Sequence, residues 1–228
     1  MAPAGDGDES RRGEQPLAPT NFMNDPFPPS DFDDWAETYD QSIASDHFPF
    51  EGYARVLEIV VTLADAQPGL SVLDLGTGTG NLAARFAALG CKLWCTDFSA
   101  AMLEKARTKL PQARCIQHDL RAEWPPGLDR RFERIVSAYV FHHFQLDEKV
   151  RLVKTLLDGH LLPGGRLVIA DIAFGDPAAL EAVRLAAGEV WEDEFYWVAS
   201  EALPALEQVG LRPAYRQVSS CAGVFIFE

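Results

Sequence analysis

The sequence predicts a doubly wound α/β domain built on a mostly parallel sheet, and three observations carry that reading. Short apolar runs with strand character alternate with helical segments along the chain, the pattern of a sheet covered on both faces. One of those runs, Val72-Leu73-Asp74-Leu75, passes straight into Gly76-Thr77-Gly78-Thr79-Gly80 and then a helix. The chain closes on two further apolar runs around Ser220-Cys221, which read as an antiparallel hairpin.

Taken in order, residues 1–30 are rich in Pro, Gly and acids and poor in branched apolar residues. Such a segment cannot bury enough surface to offset its ordering entropy, so it reads as a disordered acidic tail ahead of one domain over 31–228. Helical segments follow at 34–43 and 50–66. After the glycine turn, a helix over 81–89 is ended by Gly90, and a second strand over 92–96 ends in Asp97. Ser99 is placed to cap a helix running to about residue 109, which Pro111 stops. A third strand over 113–118 precedes Asp119, and later strands end near Ala138 and Asp171. A helix over 147–157 leads to the Leu162-Pro163-Gly164-Gly165 turn, and the hairpin pairs 212–219 with 222–227.

Glycines at a strand-to-helix turn let backbone N–H groups approach a ligand with no Cβ in the way. The spacing here is Gly-x-Gly-x-Gly, one residue tighter than the Gly-x-Gly-x-x-Gly that seats a dinucleotide pyrophosphate, which points away from NAD. Asp97 lies 17 residues beyond Gly80, where its two oxygens can accept both hydroxyls of a ribose. Asp119 can accept from an adenine amino group while Leu120 covers one face of the ring and Phe98 the other. Asp74 has two readings, orienting a ligand amino group or fixing the turn, and its burial calls for donors from the glycine-loop amides.

Composition limits the function classes. The chain has 228 residues, enough to bury a core without disulfides or metals, and its 47% hydrophobic content is ordinary for a globular domain. Its net charge of −14, from 20 basic and 34 acidic residues, argues against a nucleic-acid partner. Arg130, Arg131 and Arg134 form the nearest thing to a basic cluster and read as a solvated loop leading into a strand. Four cysteines form no Cys-x-x-Cys unit. No apolar run spans a bilayer and the N-terminus lacks the apolar core of a signal peptide, so a cytoplasmic protein without a membrane partner is expected.

The ordered set Asp74-Leu75-Gly76-Thr77-Gly78-Thr79-Gly80, Asp97, His118-Asp119-Leu120, Phe132-Glu133-Arg134-Ile135-Val136-Ser137 with His142-His143, and Leu162-Pro163-Gly164-Gly165-Arg166-Leu167 resembles a class I S-adenosylmethionine-dependent methyltransferase. Within that superfamily it is most like the little-characterised YrrT-type bacterial enzymes, a likeness that brings no acceptor with it. The resemblance covers residues 32–228, because Phe32-Asp33-Asp34-Trp35-Ala36-Glu37-Thr38-Tyr39-Asp40 resembles the helix that closes over the cofactor in many such enzymes. It implies a Rossmann-like sheet of seven strands, S-adenosyl-L-methionine as cofactor, and a small-molecule methyl acceptor.

The resemblance also implies roles. Trp35 and Tyr39 lie four apart on one helical face; Tyr39 would touch the methionine end of the cofactor, although periodicity alone reads the pair as a core stripe. Asp40 and Glu37 read as solvated. His142 and His143 follow the fourth strand, where the methyl would be exposed; in an extended segment only one would face the pocket, either as a proton acceptor or as a structural residue. No neighbouring Cys, His or acid completes a ligand set, so no metal is expected. Trp191, in the aromatic and acidic stretch 191–197, is a candidate for the acceptor pocket or, more plainly, part of an amphipathic surface segment. A nucleotide-binding oxidoreductase and a noncatalytic S-adenosylmethionine-binding protein are the competing readings.

Overall fold

The computed structural model describes residues 27–45 and 47–228. Of the tail expected over 1–30, residues 1–26 lie outside the described residues, and α1 (Pro29–Trp35) starts within its last two positions. After α2 (Tyr39–Ser42) and α3 (Tyr53–Ala64) come β1 (Ser71–Leu75), α4 (Asn81–Ala88), β2 (Lys92–Asp97), α5 (Ala100–Lys109), β3 (Arg114–Gln117) and β4 (Phe132–Ala138). A 3₁₀ turn at Phe141–His143 leads to α6 (Leu146–Thr155), whose last turn widens to π geometry over Leu156–His160. The chain then forms β5 (Leu161–Phe174), α7 (Pro177–Ala187), β6 (Trp197–Val198), α8 (Ala199–Gln208), β7 (Ala214–Gln217) and β8 (Ala222–Phe227).

The sheet runs in the order β3-β2-β1-β4-β5-β8-β7, seven strands as expected, with the two-residue β6 added beside β5 off that path. The pairs β1–β2, β1–β4, β2–β3 and β4–β5 are parallel, and β8 is antiparallel to both β5 and β7. Every residue of β1 is buried. Val72, Val136, Val168 and Val224 enter one core with Val56, Val60, Leu82 and Phe86 from α3 and α4. Leu73, Ile135, Leu167 and Phe225 enter another with Val153 and Leu206 from α6 and α8. The side-chain period of two thus feeds two layers of helices, which is why the central strands are apolar at consecutive positions.

Local signals set most boundaries. Ser99 Oγ accepts the Met102 N–H at 3.1 Å, the cap expected for α5. The predicted 34–43 helix is instead broken between α1 and α2, yet Trp35 and Tyr39 still meet edge to face at 4.8 Å. Arg130 and Arg131 lie exposed in the loop leading into β4, as expected, while Arg134 lies within the strand. Arg130 stacks over Trp94, Arg131 donates to the carbonyls of Leu161 and Asp158, and Arg134 donates to the carbonyl of Ala64, so these cations brace strand ends. Among the described residues no helix is long and apolar enough to cross a membrane.

Strand order reverses between β1 and β4, and the carboxyl ends of strands at such a reversal leave a crevice between diverging connections. The glycine turn, Asp97 and the 3₁₀ turn all sit at that edge.

Candidate active site

A cavity of about 410 Å³ opens at the switch point. Its floor is Asp74, Gly76 and Gly78; its sides are Asp97-Phe98, Asp119-Leu120 and the 3₁₀ turn; Phe32, Trp35 and Tyr39 cover it.

The glycine turn is shaped by two residues in particular. Gly76 has φ +60°, and a Cβ there would lie 2.3 Å from Val140 Cγ2, so close approach as well as conformation requires glycine. Gly78 has φ +54° with open space where a Cβ would project, and its N–H donates to Asp97 Oδ2 at 2.8 Å. Asp97 Oδ1 accepts the Ser99 N–H at 3.0 Å. Burial outweighs these donors and pushes the Asp97 carboxyl up to about 6.

Asp74 is also buried, and burial pushes it up to about 7. Its donor differs from the expectation: the Thr77 hydroxyl donates to Asp74 Oδ2 at 2.7 Å. The left-handed backbone at Gly78 spends that amide on Asp97, so a hydroxyl one residue earlier serves Asp74. Asp119 accepts the Arg121 N–H at 2.9 Å in a tight local turn, which holds it beside Leu120 at the cavity wall. Phe98 lines the opposite part and meets Phe32 edge to face at 4.8 Å.

Tyr39 lines the cavity with its phenol buried, and that burial keeps it well above its ordinary pKa. The helices above are pinned by acids, among them Asp40, which reads as solvated from sequence. Asp40 Oδ1 accepts from Thr79 Oγ1 at 2.6 Å and Asn81 Nδ2 at 2.9 Å, while Lys109 Nζ reaches Asp40 Oδ2 at 3.3 Å. Asp33 Oδ1 accepts from Ser99 Oγ at 2.6 Å and the Ala101 N–H at 3.1 Å, placing a charge on the first turn of α5. Glu37 keeps an exposed position and pairs with Lys105 at 2.8 Å.

The 3₁₀ turn changes the reading of the histidines. Because the segment is coiled rather than extended, His142 and His143 both line the cavity, their ring centroids 4.1 Å apart. His142 Nδ1 meets Asp171 Oδ1 at 2.5 Å, and Asp171 also accepts the Ile172 N–H at 2.8 Å and Trp197 Nε1 at 3.1 Å. Burial, the largest influence on His142, pushes its imidazole down, but the charge and hydrogen bond of Asp171, with Glu194 behind them, leave it raised. His143 is held well below its ordinary value, first by burial and then by His142 and neighbouring cations.

Glu194 is the acid the sequence reading lacked beside the histidines. The loop after α7 folds back, the Phe195 N–H donates to the His142 carbonyl at 3.0 Å, and Glu194 comes to lie 3.8 Å from His142 Nε2 and 3.6 Å from His143 Nδ1. The stated ground for expecting no metal, that no nearby acid completes a ligand set, therefore does not hold. Trp191 is not in the cavity lining: its ring stacks on Phe48 at 4.9 Å and its Nε1 donates to Asp193. Glu192 and Glu194 of the same stretch take the lining instead. Lys149, also missed, lies buried behind the turn, donates to the Phe195 carbonyl and faces the Trp197 ring. Nothing in the sequence of the helix expected over 147–157 marks this lysine as buried.

The buried Asp97 carboxylate at the end of β2 and the backbone of Gly78, with open space where a Cβ would project, both border the cavity. The cavity-lining residues His118, Tyr139 and His143 each carry a buried polar atom with no hydrogen-bond partner among the described residues.

Residues 72–165 match a sequence family described as a methyltransferase domain. An uncharacterized methyltransferase of Geobacillus kaustophilus is 35% identical over 75% of this chain and 77% of its own length. One from Bacillus velezensis is 34% identical over 68% of this chain and 72% of its own. Among solved structures, the DhpI-SAM-HEP complex aligns with a TM-score of 0.66 at 19% identity over 87% of this chain and 94% of that one, a likeness of fold.

Proposed function

Because this chain belongs to the S-adenosylmethionine-dependent methyltransferases, we propose that it methylates a small-molecule acceptor held between the cofactor and the His142–His143–Glu194 end of the cavity. The observation that carries the proposal is the size of that space. A cavity of about 410 Å³ is at the small end of ligand pockets, which run from roughly 300 to 1,000 Å³, and it has to take cofactor and acceptor together. Among the described residues, Phe32 and Trp35 of α1 and Tyr39 of α2 lie over it.

In this reading Asp97 accepts the ribose hydroxyls, Asp119 the adenine amino group, Phe98 and Leu120 flank the ring, and Asp74 and Tyr39 flank the methionine portion. The cofactor supplies an electrophilic methyl group on a sulfonium. The protein's share is alignment of the acceptor lone pair with the breaking bond, which can be worth on the order of 7 to 11 kcal/mol, and exclusion of water by the closed helices. No covalent intermediate is needed. His142, oriented by Asp171, with His143 and Glu194, presents groups able to position an acceptor hydroxyl, thiol or amine and to take up its proton.

The test is methyl-labelled cofactor incubated with the protein and either the small-molecule or the macromolecular fraction of a cell extract. Label is expected in the small-molecule fraction. Label carried by protein or nucleic acid alone would overturn the acceptor class.

A further inference from the structure

We propose that His142, His143 and Glu194 form a binding site for one divalent transition-metal ion, with the Asp171 carboxylate orienting His142 from behind. The three groups come from two segments fastened together by the Phe195 N–H to His142 carbonyl bond, so their convergence is built into the backbone. Their ligand atoms all lie within 4.8 Å of one another, with 3.8 Å from Glu194 to His142 Nε2 and 3.6 Å to His143 Nδ1. A tetrahedral ion with bonds of about 2.1 Å separates its ligands by about 3.4 Å. His142 Nε2 is 3.8 Å from Glu194 Oε2 and His143 Nδ1 is 3.6 Å from Oε1, so a single carboxylate oxygen serving both rings, whose ligand atoms lie within 4.8 Å of each other, needs a turn of the carboxylate and a closing of the rings.

Hydrogen bonding among these groups does not account for the arrangement. Among the described residues His143 Nδ1 is buried without a hydrogen-bond partner, and 3.6 Å to Glu194 is too long to serve as one. An orphaned imidazole nitrogen aimed at a largely buried carboxylate is costly unless something lies between them. His142 is prepared in the way metal-bound histidines are. Its Nδ1 is committed to Asp171, itself fixed by Ile172 N–H and Trp197 Nε1, which leaves the Nε2 lone pair facing Glu194. The charged groups around the site are Asp171, Glu192 and Glu194 against Lys149 and Arg121. The two cations donate to the carbonyls of Phe195 and His143.

Two imidazoles and one carboxylate with no sulfur select borderline first-row ions such as Zn²⁺ or Co²⁺ over Mg²⁺ or Ca²⁺, which take oxygen ligands. Three protein ligands leave a fourth position toward the cavity. If the acceptor lies there, a clause that rests on the function proposed above, the ion would take the acceptor's thiol or hydroxyl oxygen as its fourth ligand.

The experiment uses untagged full-length protein stripped with a chelator and titrated with Co²⁺, followed by visible d–d absorption. One ion per chain is expected, displaced by Zn²⁺. His143→Ala and Glu194→Gln should each weaken Co²⁺ at least tenfold, and Asp171→Asn by ten- to a hundredfold, while His160→Gln should leave it unchanged. Melting curves of each variant establish that it is folded. Absence of stoichiometric Co²⁺ binding, or Co²⁺ affinity in folded Glu194→Gln and His143→Ala equal to that of the unsubstituted protein, overturns the site. Cofactor-product binding measured on the same stripped protein reports on the methyltransferase reading separately. Full-rate methylation by stripped protein would remove the ion from the acceptor while leaving its binding to be judged by the titration.

Discussion

Replacing Asp97 by Asn should move stability and cofactor affinity in opposite directions. In the empty protein the carboxylate is buried, and burial lifts its pKa from 3.8 to about 6. A raised carboxylate adds stability that is fully present below its unfolded pKa and is lost as pH rises through about 6. At pH 7.5 the ionised group therefore opposes folding by roughly two pKa units, about 3 kcal/mol. Asn removes that charge but sets an amide NH₂ against one of the donors that Asp97 now accepts, Gly78 N–H at 2.8 Å or Ser99 N–H at 3.0 Å, at a cost of about 1 to 2 kcal/mol. The net expectation is a gain of about 1 to 2 kcal/mol for the empty protein. Affinity goes the other way, because one charge-assisted bond to a ribose hydroxyl is lost, worth about 1.5 to 3 kcal/mol, or roughly 10- to 150-fold in Kd. Scanning calorimetry of empty protein and titration calorimetry with S-adenosylhomocysteine, both at pH 7.5, measure the two halves. A lower Tm together with unchanged affinity would refute the reasoning on both counts.

Cofactor-product affinity should fall below about pH 6, by up to tenfold per pH unit, as a proton competes for Asp97; Asp97→Asn should flatten that slope, and any slope left near pH 7 belongs to Asp74, in titrations run across the range. Gly76→Ala should cost about 2 to 4 kcal/mol in chemical denaturation, from its φ of +60° and the clash with Val140, and Val140→Ala in the same chain should recover the packing part. Gly78→Ala, with open space at its Cβ, should cost only about 1 kcal/mol in stability yet weaken cofactor binding; equal effects at the two glycines would contradict the geometry. Asp40→Ala should release the bonds to Thr79, Asn81 and Lys109 and speed hydrogen exchange across residues 32–43 in the empty protein, whereas bound S-adenosylhomocysteine should slow it; exchange indifferent to both changes would make these helices ordinary core.

The features legible from the chain alone are those written in contiguous residues. The turn Gly76-Thr77-Gly78-Thr79-Gly80, the acid at the tip of β2, the Ser99 cap and the closing hairpin all follow from short-range rules of backbone conformation and side-chain period. The order of strands around the crevice follows in turn, since a parallel sheet with helical crossovers has few ways to connect. Tertiary structure alone decided which polar side chains meet. Asp171 lies 29 residues from His142, Asp40 lies 39 from Thr79 and Asp33 lies 66 from Ser99. No periodicity relates such positions, because their contact depends on where the intervening chain travels. The histidines show the mechanism most plainly. Burial of Phe141 between Phe144 and Trp197 draws the segment after β4 into a 3₁₀ turn. In that turn both imidazoles project toward Glu194, where an extended strand would have sent them to opposite sides.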